Sequence, residues 1–300
     1  MFSSLPKPIQ RSLFTDAIPD QPKVVNVASI PHRSPFRYPG GKTWLVPWIR
    51  YWLQNKPTKP TELIELFAGG GIIGLTAAFE QLASHITLVE LDPDVASVWH
   101  TILSDHAEWL ARRILTFPMS VTAVKDALLI EPEAEREQAF LTILKNRVCH
   151  GGILAAGSGL IKSGENGKGI ASRWYPETLA KRIRAIYTMR HCITFIQGDG
   201  LEVMRQLAKQ DDIVFFIDPP YTAPGKRAGK RLYTFNEIDH EVLFDLATTI
   251  SGDFMMTYDN AESVRDMTAR RGFTTQEVVM KGTHHNKTIE LLIGPAQHIL

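Results

Sequence analysis

The sequence predicts an α/β fold, a sheet with a mostly parallel core closed at its end by an antiparallel pair. Three observations lead there. From Glu62 onward, strand-like apolar runs (ELIELF, HITLVEL, CITFIQ, IVFFID, DFMMTYD) alternate with helix-like text, the order a parallel sheet needs because each crossover returns through a helix. Two β-rich runs, TTQEVVMK and KTIELLIG, finish the pattern and pair antiparallel. The 300 residues are 44% hydrophobic and 22% charged, an ordinary globular composition with apolar residues enough for one large or two unequal domains. That excludes collagen-like, disordered and disulfide-stapled chains.

Taken in order, residues 1–34 hold several prolines and polar residues without apolar periodicity, and are expected as an extended or disordered N-terminal arm. The first strand runs from Glu62 into the glycine-rich AGGG, then helical text through Gln81, then a second strand. Asp92-Pro93-Asp94 opens the next helix with an acidic cap and a proline in its first turn. Between His106 and Arg190 the alternation stops. Helical segments HAEWLARRILTF and EAEREQAFLTILKNRV precede a glycine-rich loop, Gly151 to Gly169, and a basic helix from Pro176, which together read as an insertion. The expected division is therefore the arm 1–34, a sheet domain of 35–104 and 191–300, and an insert of 105–190.

The two cysteines, Cys149 and Cys192, make no CxxC pair and no ligand cluster, which fits a reducing compartment and gives no support for structural zinc. No stretch approaches a membrane span, and MFSSLPKPIQR lacks the basic start and apolar run of a secretory signal, so the expected location is the cytoplasm. The formal net charge of +1, from 33 basic and 32 acidic residues, taken alone speaks weakly against a nucleic-acid partner.

Two glycine motifs nearly fit known phosphate sites. Gly40-Gly41-Lys42-Thr43 resembles the end of a P-loop, but Phe36 stands where that motif needs glycine and no strand leads into it. Gly69-x-Gly71-x-x-Gly74 follows a strand, opens a helix, and has Glu90 at the end of the next strand. On that pattern a nicotinamide dinucleotide oxidoreductase is a fair reading, and so is any enzyme with an adenosine-bearing cofactor whose ribose hydroxyls the acid would grip. The deciding motif is Asp218-Pro219-Pro220-Tyr221, after the apolar run Ile213 to Ile217, where open α/β sheets place their chemistry. Two prolines hold a rigid turn that fixes a carboxylate, a carbonyl and an aromatic ring relative to one another. Such an arrangement suits methylation of an exocyclic amine: two acceptors bind its N–H groups and aim its lone pair, while the ring stacks a base flipped from its duplex.

At this point the chain resembles the Dam-like DNA adenine methylases, N6-adenine-specific DNA methyltransferases of the alpha-group motif order, over about Pro35 to Pro295. PFRYPGGK, ELFAGGG, QGDG, DPPY and the segments RLYTFNEIDHEVLF and THHNKTIELLIG carry the likeness. The resemblance implies a Rossmann-like S-adenosylmethionine-dependent methyltransferase sheet with an antiparallel final hairpin, and a mainly helical target-recognition insert. It implies S-adenosylmethionine as cofactor, held by Tyr38, Lys42, Phe67, Gly69, Gly71, Glu90, Asp199 and Asp218, with Asp218, Pro219, Pro220 and Tyr221 catalytic. Double-stranded DNA is the implied partner, with no metal and no membrane; functional pairing with a restriction endonuclease and a cytoplasmic, nucleoid-associated setting of bacterial or phage type go with it. Glu90 is one methylene longer than the aspartate many members carry.

TAPGKRAGKRLY directly after DPPY holds Lys226, Arg227, Lys230 and Arg231 within six residues, and these are expected to meet phosphates near the flipped base. Asn146, Arg147 and Arg173 of the insert are also expected near DNA. His284 and His285 lack carboxylate or cysteine partners at ligand spacing, and Trp44, Trp48 and Trp52 read as a core-facing helical stripe. N4-cytosine methylation, an RNA substrate and the oxidoreductase reading stay open as alternatives.

Overall fold

A computed structural model of the chain describes residues 29–37, 41–154, 158–164, 167–220, 238–281 and 287–296. Seven strands form one sheet: β1 (Glu62–Leu66), β2 (His85–Glu90), β3 (Ile193–Gln197), β4 (Ile213–Ile217), β5 (Asp253–Asp259), β6 (Thr274–Lys281) and β7 (Lys287–Gly294). Their order is β3-β2-β1-β4-β5-β7-β6. The first five pair in parallel, and β7 runs antiparallel to both its neighbours. The expected closing hairpin is present. Its second strand also slips between β5 and β6, so β7 rather than β6 meets the parallel core. The order reverses between β1 and β4, where Leu66 lies opposite Ile217, and ligands of such sheets bind beyond the carboxyl ends of the two strands at this switch point.

The helices are α1 (Val46–Gln54), α2 (Ile72–Phe79), α3 (Pro93–Leu103), α4 (Ala107–Thr116), α5 (Val121–Leu129), α6 (Glu135–Val148), α7 (Pro176–Thr188), α8 (Gly200–Leu207), α9 (His240–Ala247) and α10 (Glu262–Arg270). All five residues of β4 are buried, as expected of a strand covered on both faces. Ile213, Phe215 and Ile217 pack with Leu201 and Met204 of α8, Leu243 and Phe244 of α9 and Val264 of α10. Val214 and Phe216 face the other way, toward Trp48 and Ile49 of α1 and Leu75 of α2. Trp48 and Trp52 thus lie in the core as their spacing suggests, and Trp52 donates its indole N–H to Asp253 at 3.0 Å, where Lys56 also pairs. Asp92 caps α3 by accepting from the Asp94 amide, with Pro93 in the first turn.

The insert is helical, and its apolar side chains continue one layer of the sheet. Leu110, Ile114, Ile143, Leu179 and Ile183 belong to the same cluster as Trp99 and Ile102 of α3. The part of the expected arm from Ser29 onward is likewise tied in. Ile30 is 3% exposed and Arg33 pairs with Glu80, and Phe36, just past the expected arm, packs against the Trp99 ring at 6.3 Å. One apolar residue among prolines leaves no period, so this packing has no sequence signal.

Asn146 and Arg147 require a correction. Both were expected near DNA, yet they are 0% and 3% exposed. Asn146 accepts from the Arg37 amide at 2.8 Å and donates to the Arg37 and Gly152 carbonyls at 2.9 and 2.7 Å; Arg147 donates to the Pro35 carbonyl. They hold the segment that leads into Lys42 against α6, and offer no base contact from there. Asn146→Ala would strand three backbone groups, and is expected to cost about 2–4 kcal/mol in chemical denaturation, with an unchanged slope against denaturant.

Candidate active site

The turn after β1 is clamped from two sides. Phe67, Gly69 and Gly71 all have positive φ, at 59°, 48° and 61°. The Gly69 N–H donates to Glu90 at 2.8 Å, and its carbonyl accepts the Trp99 indole N–H at 3.0 Å. A Cβ on Gly71 would stand 2.8 Å from the Trp99 ring, so both backbone angle and space require glycine there. A Cβ on Gly74 would stand 2.5 Å from Leu88, which explains how α2 lies so close to the sheet. Phe67 tolerates a left-handed conformation that costs a non-glycine residue about 1–2 kcal/mol. Its ring lies against Gly200, beside Asp199, and so forms a wall between the turn and the end of β3.

Glu90 ends β2 and accepts three backbone N–H groups, from Gly69, Leu91 and Asp92, at 2.8 to 2.9 Å. A carboxylate has about four acceptor positions, so the extra methylene is spent curling the group back onto its own loop. That leaves acceptor capacity for about one further donor. Burial pushes the Glu90 carboxyl up, and the three amides only partly oppose this. Asp199 caps α8 through the Leu201 amide at 2.8 Å and is exposed, at the mouth of the same edge.

Asp218 follows β4 with Pro219 buried behind it. Its Oδ1 accepts the Thr257 hydroxyl at 2.7 Å and lies 3.2 Å from Lys42 Nζ, which is also 3.1 Å from Glu290 Oε2. Burial alone would push the Lys42 ammonium down, but the Asp218 and Glu290 carboxylates outweigh it and the net shift is upward. Glu290 is itself raised by burial, against the pull of Lys42. Glu65, on the same face of β1, accepts the Gly74 and Ile73 amides at the start of α2, with the Gly74 bond at 2.6 Å. Burial pushes it up to about 8, opposed by those amides and aided by the charge of Asp218.

Sequence reasoning missed Glu65, Thr257 and Glu290. Their signal was a polar residue at an inward position of a strand otherwise apolar, as in ELIEL and KTIELLIG. Phe67, Gly69, Gly71, Glu90, Asp199, Lys42 and Asp218 come together at the carboxyl edge. Arg173 ends the short turn Gly169–Arg173, half-buried. Tyr38, Tyr221, Lys226, Arg227, Lys230 and Arg231 lie outside the described residues, as do His284 and His285. Among the described residues, no group of His, Cys, Asp and Glu is placed to hold a metal ion, and no helix is long and apolar enough to cross a membrane.

The charge pattern selects the ligand. In a dinucleotide enzyme the amides at the start of α2 would receive a pyrophosphate, but here the Glu65 carboxyl already occupies them. Carboxyl groups of Glu90, Asp199 and Asp218 line the same edge, which suits a cofactor carrying a sulfonium and an ammonium and disfavours one carrying two phosphates. A methyltransferase that uses S-adenosylmethionine is the class this edge defines. More narrowly, the chain belongs to the D12 class N6 adenine-specific DNA methyltransferase family, whose profile matches residues 38–281.

No curated protein matches the chain significantly. Similar solved structures include a putative RNA methyltransferase from Pyrococcus horikoshii, at 11% identity and a TM-score of 0.38, covering 86% of this chain and 84% of that one. A Thermoplasma acidophilum protein matches at 12% identity and a TM-score of 0.39, with 84% and 88% covered. The putative methyltransferase yhhF of Escherichia coli matches at 11% and 0.37, with 84% and 85% covered. Similarities at this level bear on neither substrate nor mechanism.

The buried Glu65 makes stability depend on pH. The folded protein keeps its proton up to about pH 8, whereas an ordinary glutamate loses it near 4.5, so ionisation of the unfolded chain favours unfolding between those values. In urea titrations from pH 5 to 8, Glu65→Gln should lose stability less steeply with rising pH than the unsubstituted protein, by up to about 1.4 kcal/mol per pH unit.

Proposed function

We propose that the protein transfers a methyl group from S-adenosylmethionine to the N6 amine of an adenine flipped out of double-stranded DNA. The observation that carries this is the fixed Asp218 carboxylate. It stands at the switch point, backed by Pro219, with Thr257 and Lys42 both meeting Oδ1, so the carboxyl plane cannot rotate freely. The bound cofactor supplies an electrophilic methyl on a sulfonium. The amine of adenine is a poor nucleophile because its lone pair is delocalised into the ring. The Asp218 carboxylate and the Pro219 carbonyl accept its two N–H bonds, draw the nitrogen toward a tetrahedral shape and aim the lone pair at the methyl carbon. Positive charge developing on the nitrogen is met by Asp218, and the surplus proton then leaves to solvent.

Tyr221 offers a ring on which the flipped base stacks. Glu90 takes one ribose hydroxyl of the cofactor, Asp199 its adenine edge, and Phe67 with Gly69 and Gly71 walls the methionine end, with Tyr38 and Lys42 as further cofactor-binding residues. The net charge of +1 is no obstacle to DNA. Lys226, Arg227, Lys230 and Arg231 follow the catalytic turn closely in sequence and, with Arg173, are the cations that would neutralise DNA phosphates.

Asp218→Ala should slow single-turnover methylation by at least about 10²-fold while cofactor affinity, read by titration, stays close to that of the unsubstituted protein. Full activity in that variant would sink the mechanism. Mass spectrometry of nucleosides after incubation with duplex DNA and RNA in competition should find N6-methyladenine in the DNA; N4-methylcytosine, or label in the RNA, would overturn the substrate assignment. Neutralising the four basic residues after DPPY should weaken DNA binding and flatten its dependence on salt, by about 0.9 in the log–log slope for each phosphate that the protein ceases to neutralise. Equal slopes for the two proteins would move the DNA path elsewhere.

A further inference from the structure

We propose that Glu290 is a positioning residue for the methyl-transfer step, acting on Asp218 through the Lys42 ammonium. This rests on reading Asp218 as the acceptor of the substrate amine.

Lys42 Nζ stands 3.1 Å from Glu290 Oε2 and 3.2 Å from Asp218 Oδ1, nearly midway between the two carboxylates. The side chains are 7% exposed for Lys42 and 12% for Glu290, against 25% for Asp218, which opens toward the substrate side. In so buried a place an ammonium facing one carboxylate would bind it tightly and turn it from the incoming amine. Glu290 divides that attraction. The ammonium is held from behind by Glu290, Thr257 donates to Oδ1 from β5, and Asp218 shares the Lys42 charge with a second carboxylate instead of taking all of it.

The topology makes the arrangement specific. Glu290 lies opposite Asp259 of β5, and its strand face is that of Leu292, which packs in the α1 and α2 layer. This is the layer into which the turn Lys42–Leu45 delivers Lys42. β7 reads Ile289, Glu290, Leu291, Leu292, Ile293, and an apolar residue at the second of these positions would serve packing better than a buried acid. An ionised group kept at such cost beside a catalytic carboxylate points to function.

Glu290→Gln and Glu290→Met remove the charge with little change of volume. Each is expected to lower the single-turnover methylation rate by about 10- to 100-fold, while the dissociation constants for S-adenosylmethionine and for duplex DNA stay within about 3-fold. Glu290→Asp, which keeps the charge, should recover at least half of the lost rate on a logarithmic scale. A merely structural role would weaken cofactor binding along with the rate and would show no preference for the charged variant, and either result overturns the proposal. So does an unchanged rate in the neutral variants, or failure of both to fold by circular dichroism, which would assign Glu290 to stability alone. Asp218→Ala is measured beside them. If it still methylates, the reading of Asp218 fails; if it is inactive while the Glu290 variants match the unsubstituted protein, only this inference fails.

Discussion

The glycine turn stands where it does because two buried carboxyls, Glu65 and Glu90, take up its backbone N–H groups. Glu65 caps the start of α2 from beneath, and Glu90 gathers the Gly69 amide together with two of its own loop. With those donors satisfied internally, the edge has no nest for phosphate and acquires a negative character instead. The same physical device thus sets the turn's shape and the sign of the ligand it accepts. Trp99 completes the clamp by holding the Gly69 carbonyl and closing the space beneath Gly71, so α3 helps to shape the turn.

A second constraint comes from the insert. Its helices bury their apolar faces against α3 in one cluster with the sheet, and Asn146 and Arg147 use that packing to grip the backbone of residues 35 to 37. The segment that leads to Lys42 is therefore positioned by a helix about a hundred residues later. Two side chains expected near DNA, Asn146 and Arg147, instead fasten the backbone of residues 35 to 37. Through these hydrogen bonds the backbone of residues 35–37 and the end of α6 are held together as one unit.

Much of the fold was legible in the sequence because its signals are local. The apolar runs announce β1 to β5, Asp92-Pro93 announces the start of α3, and the two final β-rich runs announce a hairpin. The placement of β7 between β5 and β6 was not legible, because strand order in a sheet depends on packing between distant segments. Phe67, Gly69, Glu90, Asp199 and Asp218 were picked out by motif, and they do assemble at one edge. Asn146 and Arg147 misled because polar residues near the end of an amphipathic helix look like surface; their burial is decided by Arg37 and Pro35, far away in sequence. Glu65 and Glu290 were overlooked because an acid in a strand is easily taken for its solvent face, and only the two-sided burial of this sheet shows otherwise.

The ion pair between Lys42 and Glu290 spans 248 positions of sequence, from the turn before the first strand to the last strand of the sheet. Closing a loop of that length costs conformational entropy that a pairing between neighbouring segments avoids. A chain with its parallel core already built but β7 not yet inserted would possess the glycine turn and Asp218 and still lack the far arm of the bridge. The edge beyond β1 and β4 is therefore completed by a side chain from the far end of the chain, and only a chain with β7 in place holds Lys42 from both sides.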